Sequence, residues 1–402
     1  MNPSDTMAAW QRRFHDAMMG SVATPLIMLD HGEGSWVWDV DGNRYLDFLA
    51  GIAVNSLGHA HPVFVEAVAA QAARMAHISN YFASEPQVQL AERLQRLSGA
   101  GEQGRAYFGN SGAEANEAAF KLARLNRHGG RTRILTLTDS FHGRTMGALA
   151  LSGKPAMRQD FEPVPGGVAH IAPTLEALDQ SIDASVAAVM VEPVLGEAGV
   201  RDLPDGFLRR ARQLTAEHGA LLIIDEIQTG AGRTGRWFGF QHEGIQPDAI
   251  TVAKGIGGGV PIGSLVTFGA ASRLFAPGMH GSTFGGNPLA TATANAVLGE
   301  IERAGLVENA ERRGAQLRER IRSLGSPLVT ELRGLGLLIG VGLARPVASR
   351  LVRAAQDAGL IINAPNAQTI RIAPPLIIGD DEVDAFTERF ARALDAISTG
   401  IS

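Results

Sequence analysis

The sequence contains no cysteine, which excludes a disulfide framework and any metal site built on thiolates. No apolar run approaches the roughly 20 residues that a membrane-spanning helix needs. The N-terminal segment, MNPSDTMAAWQRRFHDAMMG, also lacks the apolar core of a signal peptide. We therefore expect a soluble, cytoplasmic protein.

Long blocks of like charge are also absent, and the net charge is −5. This balance argues against nucleic acids and anionic membranes as partners. At 402 residues the chain is long for one hydrophobic core, so two domains are expected. The 48 glycines lie in short loops rather than in repeats, which suits the many strand-to-helix turns of an α/β fold.

The most informative stretch runs from Leu221 to Gly259. It begins with the apolar run Leu221–Ile224, which is typical of a strand buried on both faces of a parallel sheet. Asp225 follows directly, at the strand end where ligands collect in open α/β sheets. A second strand, predicted over residues 249–253, ends on Lys254 and is followed by small residues.

Lys254 stands between an alanine and a glycine, so a large planar group has room beside it. A desolvated lysine has a lowered pKa and forms Schiff bases, and a carboxylate such as Asp225 can hold a protonated ring nitrogen. Pyridoxal phosphate requires both groups. The spacing alone equally allows an exposed lysine in a glycine loop, with Asp225 as a helix cap.

Another predicted strand, over residues 105–108, leads into Asn110-Ser111-Gly112 at the start of a helix. Free amides at a helix N-terminus form an anion site, and Ser111 adds a hydroxyl donor. A phosphate site is one interpretation. An ordinary serine or asparagine cap is the other, and it is the commoner arrangement.

A strand predicted over residues 132–138 precedes Phe141 and Arg144. The ring can stack on a planar cofactor or belong to the core. The guanidinium can clamp a carboxylate or form a surface ion pair.

A further strand, predicted over residues 186–191, is followed by Glu192 and Glu197 beside glycines. Strand and helix alternate from about residue 105 to 270, which is the pattern of a wound, mostly parallel sheet. Because several strands end on chemically capable residues, we expect these ends to share one site.

Helical patterns also predict helices over residues 204–218 and 344–358.

The flanking segments are less specific. Asp41-Gly42 is a hairpin signal, and the two histidines of GHAHP at 58–62 lack a third ligand nearby, so no metal is expected. Ser282 and Thr283 are hydroxyl donors between glycines. Arg371 lies between two isoleucines and should point away from them; such an arginine is a surface charge unless a cleft is near.

Taken together, the motifs resemble the class III, pyridoxal-phosphate-dependent aminotransferases of fold type I. The resemblance covers nearly the whole chain. It is carried by GIAVNSLGHAHP at 51–62, FGNSGAEANEAAFKLAR at 108–124, FHGRT at 141–145, EPVLGEAGV at 192–200, IIDEIQTGAGRTG at 223–235, AKGIGGGVPIG at 253–263, HGSTFGGNP at 280–288 and LRGLGLLIG at 332–340.

The resemblance implies an α/β fold: a large domain with a mostly parallel, seven-stranded sheet and a smaller α+β domain. The N-terminal segment 1–60 would join the small domain, 61–315 would form the large cofactor-binding domain, and 316–402 would form the C-terminal small domain. A homodimer with shared active sites is also implied.

The resemblance also implies roles for the residues around pyridoxal 5′-phosphate. Lys254 would carry the cofactor as a Schiff base and move the proton. The other cofactor contacts would be Ser111, Gly112 and Ala113 at the phosphate, Thr283 reaching it from the neighbouring subunit, Phe141 and Ile227 on the two ring faces, Gln228 at the 3-hydroxyl oxygen, and Asp225 at the ring nitrogen.

Substrate contacts follow from the same resemblance. Arg144 would bind the carboxylate distal to the reacting amine, and Ser282 would be a further contact. Arg371 would bind the α-carboxylate of glutamate or 2-oxoglutarate. Glu197 would neutralise Arg371 when the other substrate is bound.

Within the class, the chain most resembles members that move the terminal amine of N-acetylornithine to 2-oxoglutarate. No tyrosine lies between Phe14 and Trp36, where relatives that bind a free α-amine carry one, which favours an acylated substrate. Succinylornithine, N-acyl-diaminopimelate, ornithine and 4-aminobutyrate remain alternatives. So does a glutamate-semialdehyde aminomutase, for which Arg371 would be idle. A non-enzymatic module is disfavoured by the intact Lys254 and Asp225.

Overall fold

The computed structural model describes residues 6–399. Its strands, numbered along the chain, are β1 (Leu29–Glu33), β2 (Trp36–Asp39), β3 (Arg44–Asp47), β4 (Arg105–Gly109), β5 (Arg133–Leu137), β6 (Val168–Ile171), β7 (Val186–Val191), β8 (Val194–Leu195), β9 (Arg201–Asp202), β10 (Leu221–Asp225), β11 (Ala249–Val252), β12 (Gly263–Thr267), β13 (Val329–Arg333), β14 (Ile339–Leu343), β15 (Leu360–Ile361), β16 (Asn363–Asn366) and β17 (Thr369–Ile372).

The helices of the same residues are α1 (Met7–Ala17), α2 (Ala50–Ala53), α3 (Pro62–Arg74), α4 (Glu85–Ser98), α5 (Gly112–Leu125), α6 (Met146–Leu151), α7 (Pro155–Arg158), α8 (Leu175–Ser181), α9 (Phe207–His218), α10 (Pro288–Arg303), α11 (Leu306–Ser323), α12 (Ala348–Asp357) and α13 (Asp380–Thr399).

The central sheet has seven strands in the order β4-β12-β11-β10-β7-β5-β6. The pairs between β11, β10, β7, β5 and β6 are parallel. Only β12 runs antiparallel to its neighbours β11 and β4. The predicted α/β fold with a mostly parallel, seven-stranded sheet is therefore confirmed.

Both faces of this sheet are covered, which explains the unbroken apolar strands. On β10, Leu221 and Ile223 pack with α5 on one face, in a cluster that includes Leu122. Leu222 and Ile224 point to the other face and share a cluster with Phe207 of α9. Successive residues of a strand alternate between faces, so an all-apolar run is what a doubly covered strand requires.

Two smaller sheets bring the ends of the chain together. One has the order β1-β2-β3-β15 and the other β13-β14-β17-β16. Strand β15 of the C-terminal part pairs in parallel with β3 of the N-terminal part. The predicted hairpin at Asp41-Gly42 joins the antiparallel strands β2 and β3. His59 of the GHAHP motif contacts the Asp47 carboxylate at 2.8 Å.

Two helices begin later than predicted. The sequence pattern placed their starts near residues 204 and 344, whereas α9 begins at Phe207 and α12 at Ala348. Gly206 adopts a left-handed conformation with φ of 75° directly before α9, which a helix interior does not allow. Pro346 precedes α12 and biases the residue before it away from helical geometry.

None of the helices within residues 6–399 is long and apolar enough to cross a membrane.

Candidate active site

A cavity of about 460 Å³ opens at the edge of the central sheet where the parallel strands end. The strand-end residues singled out in the sequence meet there: the cavity is lined by Ser111, Gly112, Ala113, Phe141, Arg144, Glu192, Glu197, Asp225, Ile227, Gln228 and Lys254. Residues from several strand ends therefore line one cavity, as the sequence pattern predicts.

Asp225 ends β10 and is almost completely buried. Its Oδ1 accepts a hydrogen bond from the Ile227 amide at 3.0 Å. Its Oδ2 accepts from Asn116 Nδ2 and from His142 Nδ1, both at 2.8 Å. Three donors hold this buried carboxylate in one orientation, and a carboxylate has room to accept a further hydrogen bond from a partner in the cavity.

His142 is fully enclosed beside Asp225. Burial opposes a charge on its ring, but the hydrogen bond to Asp225 and the negative charges of Asp225 and Glu192 raise the pKa of His142 above its ordinary value. Because a carboxylate only accepts hydrogen bonds, Nδ1 of His142 carries the proton.

Lys254 follows β11 and adopts a left-handed backbone conformation, with φ of 46°. This is a strained geometry for a residue with a side chain. Among residues 6–399 its ammonium has no hydrogen-bond or ion-pair partner. Burial lowers the pKa of Lys254, while the charge of Glu197 opposes that shift and the charge of Arg371 adds to it. A partly desolvated, unpartnered amine is a suitable nucleophile.

The start of α5 supplies an anion site at another wall of the cavity. Ser111 caps the helix, and its Oγ accepts a hydrogen bond from the Glu114 amide at 3.1 Å, which leaves its own proton free to donate. A Cβ on Gly112 would lie 2.8 Å from Cδ1 of Ile227, so a larger residue there would require the Ile227 side chain to shift. The first amides of the helix have no partner inside it, and they point to where a phosphate could bind.

Arg371 on β17 is 1 % exposed and forms an ion pair with Glu197. Its Nη1 also donates to the Gly196 carbonyl and to Gln228 Oε1, both at 3.3 Å. Its Nε donates to Asn363 Oδ1 at 3.2 Å. The cleft is near, so Arg371 is not a surface charge; it reaches the cavity through Glu197 and Gln228.

Glu197 lies in the loop between β8 and β9. Burial opposes its charge, but the charge and hydrogen bond of Arg371, with smaller contributions from Lys254 and Lys154, hold the pKa of Glu197 below its ordinary value. The pair is thus ionic. A buried arginine with one carboxylate can exchange that carboxylate for one on a ligand.

Arg144 has a different setting. It is exposed at the cavity wall, and its guanidinium carbon lies 5.9 Å from the ring centre of Phe141. The cavity therefore has one open arginine and one that is already neutralised.

Three predicted residues do not line this cavity. Arg371 contacts it only through the lining residues Glu197 and Gln228. Thr283 is exposed and does not line it. Ser282 borders it indirectly, since its Oγ accepts a hydrogen bond from Asn110 Nδ2 at 3.1 Å and Asn110 is part of the lining.

Sequence reasoning missed the two side chains that hold Asp225. His142 lies inside the FHGRT motif, and Asn116 lies four positions after Gly112. On a helix that spacing places Asn116 on the same face as Gly112, facing the site, so the signal was present. Glu192 was noted only as a strand end; it accepts hydrogen bonds from the amides of Phe141 at 2.9 Å and Gly196 at 3.1 Å.

The site fits the chemistry of pyridoxal phosphate, which combines a phosphate, a planar ring with a basic nitrogen, and an aldehyde. The helix start at Ser111 suits the phosphate, Phe141 and Ile227 can flank the ring, and Asp225 can meet the ring nitrogen. Lys254 suits the aldehyde. Each of these groups lines the same cavity.

Comparison with known proteins agrees with this chemistry. The family model "Aminotransferase class-III" matches residues 18–394. The chain is 50% identical over 398 residues to acetylornithine aminotransferase of Mycobacterium leprae, covering 98% of each. It is 50% identical over 385 residues to the enzyme of the same name from Streptomyces coelicolor, covering 95% of this chain and 94% of that one.

Among solved structures, the chain resembles an ornithine aminotransferase from Toxoplasma gondii that is described with partial occupancy of PLP at its active site. The two superpose with a TM-score of 0.93 at 32% identity, over 99% of this chain and 96% of that one.

Proposed function

The chain belongs to the class III aminotransferase family, and on that premise we propose that it transfers the terminal amine of N2-acetylornithine to 2-oxoglutarate. The products are N-acetylglutamate 5-semialdehyde and glutamate, formed in two half-reactions that share one site. The relatives that are half identical over nearly their whole length carry that activity in their names. This reaction belongs to arginine biosynthesis.

The observation that carries the proposal is the Glu197–Arg371 ion pair beside the unpartnered Lys254. One half-reaction uses a terminal amine, and the other uses an α-amine with a carboxylate next to it. A single site must therefore present a cation to the α-carboxylate of glutamate and neutralise that cation when N-acetylornithine is bound. An arginine whose carboxylate partner can be exchanged does this by charge complementarity.

Pyridoxal phosphate is the cofactor, and when bound it supplies an electrophilic carbon and an electron-withdrawing ring for the exchange of amino groups. Its proposed contacts are Ser111, Gly112, Ala113, Phe141, Asp225, Ile227, Gln228 and Lys254.

Two of these residues do the chemical work from the protein side. Lys254 carries an amine whose pKa is lowered by burial, which suits it to accept a proton from the substrate carbon and return it. Asp225, held by Asn116 and His142, would accept a hydrogen bond from the ring nitrogen.

For the substrates, we assign the distal carboxylate to Arg144 and the α-carboxylate of glutamate to Arg371, with Glu197 as the exchangeable partner and Ser282 as a further contact. Arg144 is open to the cavity while Arg371 is paired. An open arginine suits the distal carboxylate, which is present in both half-reactions. A paired arginine suits the α-carboxylate next to the reacting amine, which is present only with glutamate.

A homodimer is part of the proposal. Large apolar side chains are exposed around the Ser282–Thr283 loop: Tyr81, Phe82, Met279 and Phe284 are between 47% and 93% exposed. An exposed apolar patch of this kind is typical of an interface. Thr283 is exposed and does not line the cavity of its own chain, which supports its proposed role at the phosphate of the neighbouring subunit.

We also propose the domain division inferred from the sequence: 61–315 as the large cofactor-binding domain, and 316–402 together with 1–60 as the small domain. The pairing of β15 with β3 supports joining the two ends of the chain. A cytoplasmic location is proposed on the basis of the proposed activity.

The experiment that tests the function follows the visible absorbance of the cofactor-loaded protein. Addition of N-acetylornithine alone should change the spectrum, and 2-oxoglutarate should restore it. Lys254→Ala should abolish both changes, whereas Lys121→Ala, at an exposed lysine, should not. A response to succinylornithine, ornithine or 4-aminobutyrate but not to N-acetylornithine would reject the substrate assignment.

A further inference from the structure

Lysine is rare in this chain. Three of the 36 basic residues are lysines, at positions 121, 154 and 254. Two of the three act on one carboxylate, since Lys154 and Lys254 both contribute to the electrostatic environment of Glu197. Lys254 is the proposed attachment point of the cofactor, whereas Lys154 has no role in the proposed function.

The backbone turn directly before Lys154 is held by hydrogen bonds. Lys154 follows Gly153, whose amide donates to the Ser140 carbonyl at 3.0 Å and whose carbonyl accepts from the Asp139 amide at 3.1 Å. A Cβ on Gly153 would lie 2.0 Å from the Leu137 carbonyl oxygen. The close approach of this turn to the end of β5 fixes where the lysine side chain starts.

The ammonium of Lys154 donates a hydrogen bond to the main-chain carbonyl of Glu197 at 2.7 Å. Within residues 6–399 it has no carboxylate within ion-pair distance. The Lys154 ammonium is therefore a half-buried cation next to the backbone of Glu197, and no carboxylate in direct contact neutralises it.

Exchange of carboxylates on Arg371 leaves the Glu197 carboxylate without its ion-pair partner. Arg371 is buried with Glu197 as its ion-pair partner, so a substrate α-carboxylate must displace that side chain. The displaced carboxylate would then be partly desolvated and close to a second negative charge, which is unfavourable without another cation.

We propose that Lys154 receives the Glu197 carboxylate when a substrate α-carboxylate occupies Arg371. The Lys154 ammonium already donates a hydrogen bond to the Glu197 carbonyl. Rotation of the Glu197 side chain would therefore bring its carboxylate to Lys154, while the Glu197 main chain stays in place. Lys154 is thus a positioning residue that sets the preference for α-carboxylate substrates. This inference rests on the proposed function.

The test uses two variants of the cofactor-loaded protein. Lys154→Gln keeps a hydrogen-bond donor for the Glu197 carbonyl but removes the charge, and Lys154→Arg keeps the charge. Calorimetry measures the Kd of glutarate, a dicarboxylate without an amine, and single-turnover absorbance measures the half-reactions with glutamate and N-acetylornithine.

In Lys154→Gln, glutarate and glutamate should bind roughly five- to tenfold more weakly relative to N-acetylornithine, a change typical of losing one partly exposed charge contact. Lys154→Arg should retain most of the wild-type preference. Equal changes for both substrates in Lys154→Gln would show a general structural role and overturn the proposal.

A double-mutant cycle separates an effect through Glu197 from direct attraction of the substrate. In a Glu197→Gln background, Lys154→Gln should not weaken glutarate further. The same weakening in that background would overturn the proposal, because Lys154 would then act on the ligand itself. If the wild-type protein fails to react with N-acetylornithine, the proposed function is wrong. If the wild type is active but Lys154→Gln affects glutamate and N-acetylornithine equally, only this inference is wrong.

Discussion

The imidazole of His142 donates a hydrogen bond to the carboxylate of Asp225 at 2.8 Å, and both side chains are almost completely buried. The two residues are 83 positions apart in the chain. Asn116 Nδ2 donates to the same carboxylate oxygen. The orientation of the Asp225 carboxylate is therefore set by two side chains from other elements.

Replacement of His142 by leucine should weaken cofactor binding and lower kcat. A hydrogen bond to a charged group contributes about 1.5–3 kcal/mol, so we expect a roughly 10- to 100-fold effect. Equilibrium titration with pyridoxal phosphate and steady-state kinetics measure the two quantities. His142→Asn, which can still donate to Asp225, should recover part of the loss; equal values for the asparagine and leucine variants would argue that only ring packing matters.

Glu197→Gln should move the preference toward substrates that react at an α-amine. Without its carboxylate partner, Arg371 stays positive and attracts an α-carboxylate, while a terminal-amine substrate leaves it unneutralised. The ratio of kcat/KM for glutamate to that for N-acetylornithine should rise about tenfold or more. Glu176→Gln, at an exposed position, is the matched control, and an unchanged ratio in Glu197→Gln would remove the exchange model.

Glu192 predicts a pH dependence of stability. Burial raises its pKa to about 7, the charge of Asp225 adds to this shift, and the charge of His142 opposes it. Because the folded protein favours protonated Glu192, stability is lost as pH rises from the ordinary carboxyl range, near 4.5, through about 7.

The measurement is the unfolding free energy of wild type and Glu192→Gln at pH 4.5 and pH 8, at one protein concentration. The glutamine side chain has one hydrogen-bond acceptor fewer at every pH. The pH dependence of the difference in unfolding free energy therefore reports the titration of Glu192. Relative to wild type, the variant should gain about 3 kcal/mol between the two pH values, since one pKa unit corresponds to about 1.36 kcal/mol. A constant difference would mean that folding does not raise the pKa of Glu192.

Phe82→Asp should dissociate the proposed dimer. Phe82 is 68% exposed, and a carboxylate at the centre of an apolar interface is strongly disfavoured. Analytical ultracentrifugation should show a monomer, and transaminase activity should fall because Thr283 could no longer reach a neighbouring site. Leu175→Asp, at an exposed leucine of α8, should change neither; a Phe82→Asp dimer with full activity would contradict the proposed interface.

Local patterns predicted most of the fold. The unbroken apolar runs of β7 and β10, the glycine turns after the strands, and the amphipathic helices α4 and α11 follow from periodicity that is visible in the sequence. Helix starts were less accurate where Gly206 or Pro346 stands before the helix, because the apolar period extends past the point where the backbone stops being helical.

The sequence by itself determined that strand ends carrying Ser111, Phe141, Asp225 and Lys254 exist, because each is written within a few residues of a buried strand. Tertiary structure alone decided which distant side chains complete them. His142 and Asn116 meet Asp225, and Lys154 meets the Glu197 carbonyl. The ion pair of Arg371 with Glu197 was implied by the family resemblance, but by no local pattern. These contacts depend on the order of strands in the sheet and on how β17 packs beside the cavity, and the hydrophobic periodicity of a single segment does not show either.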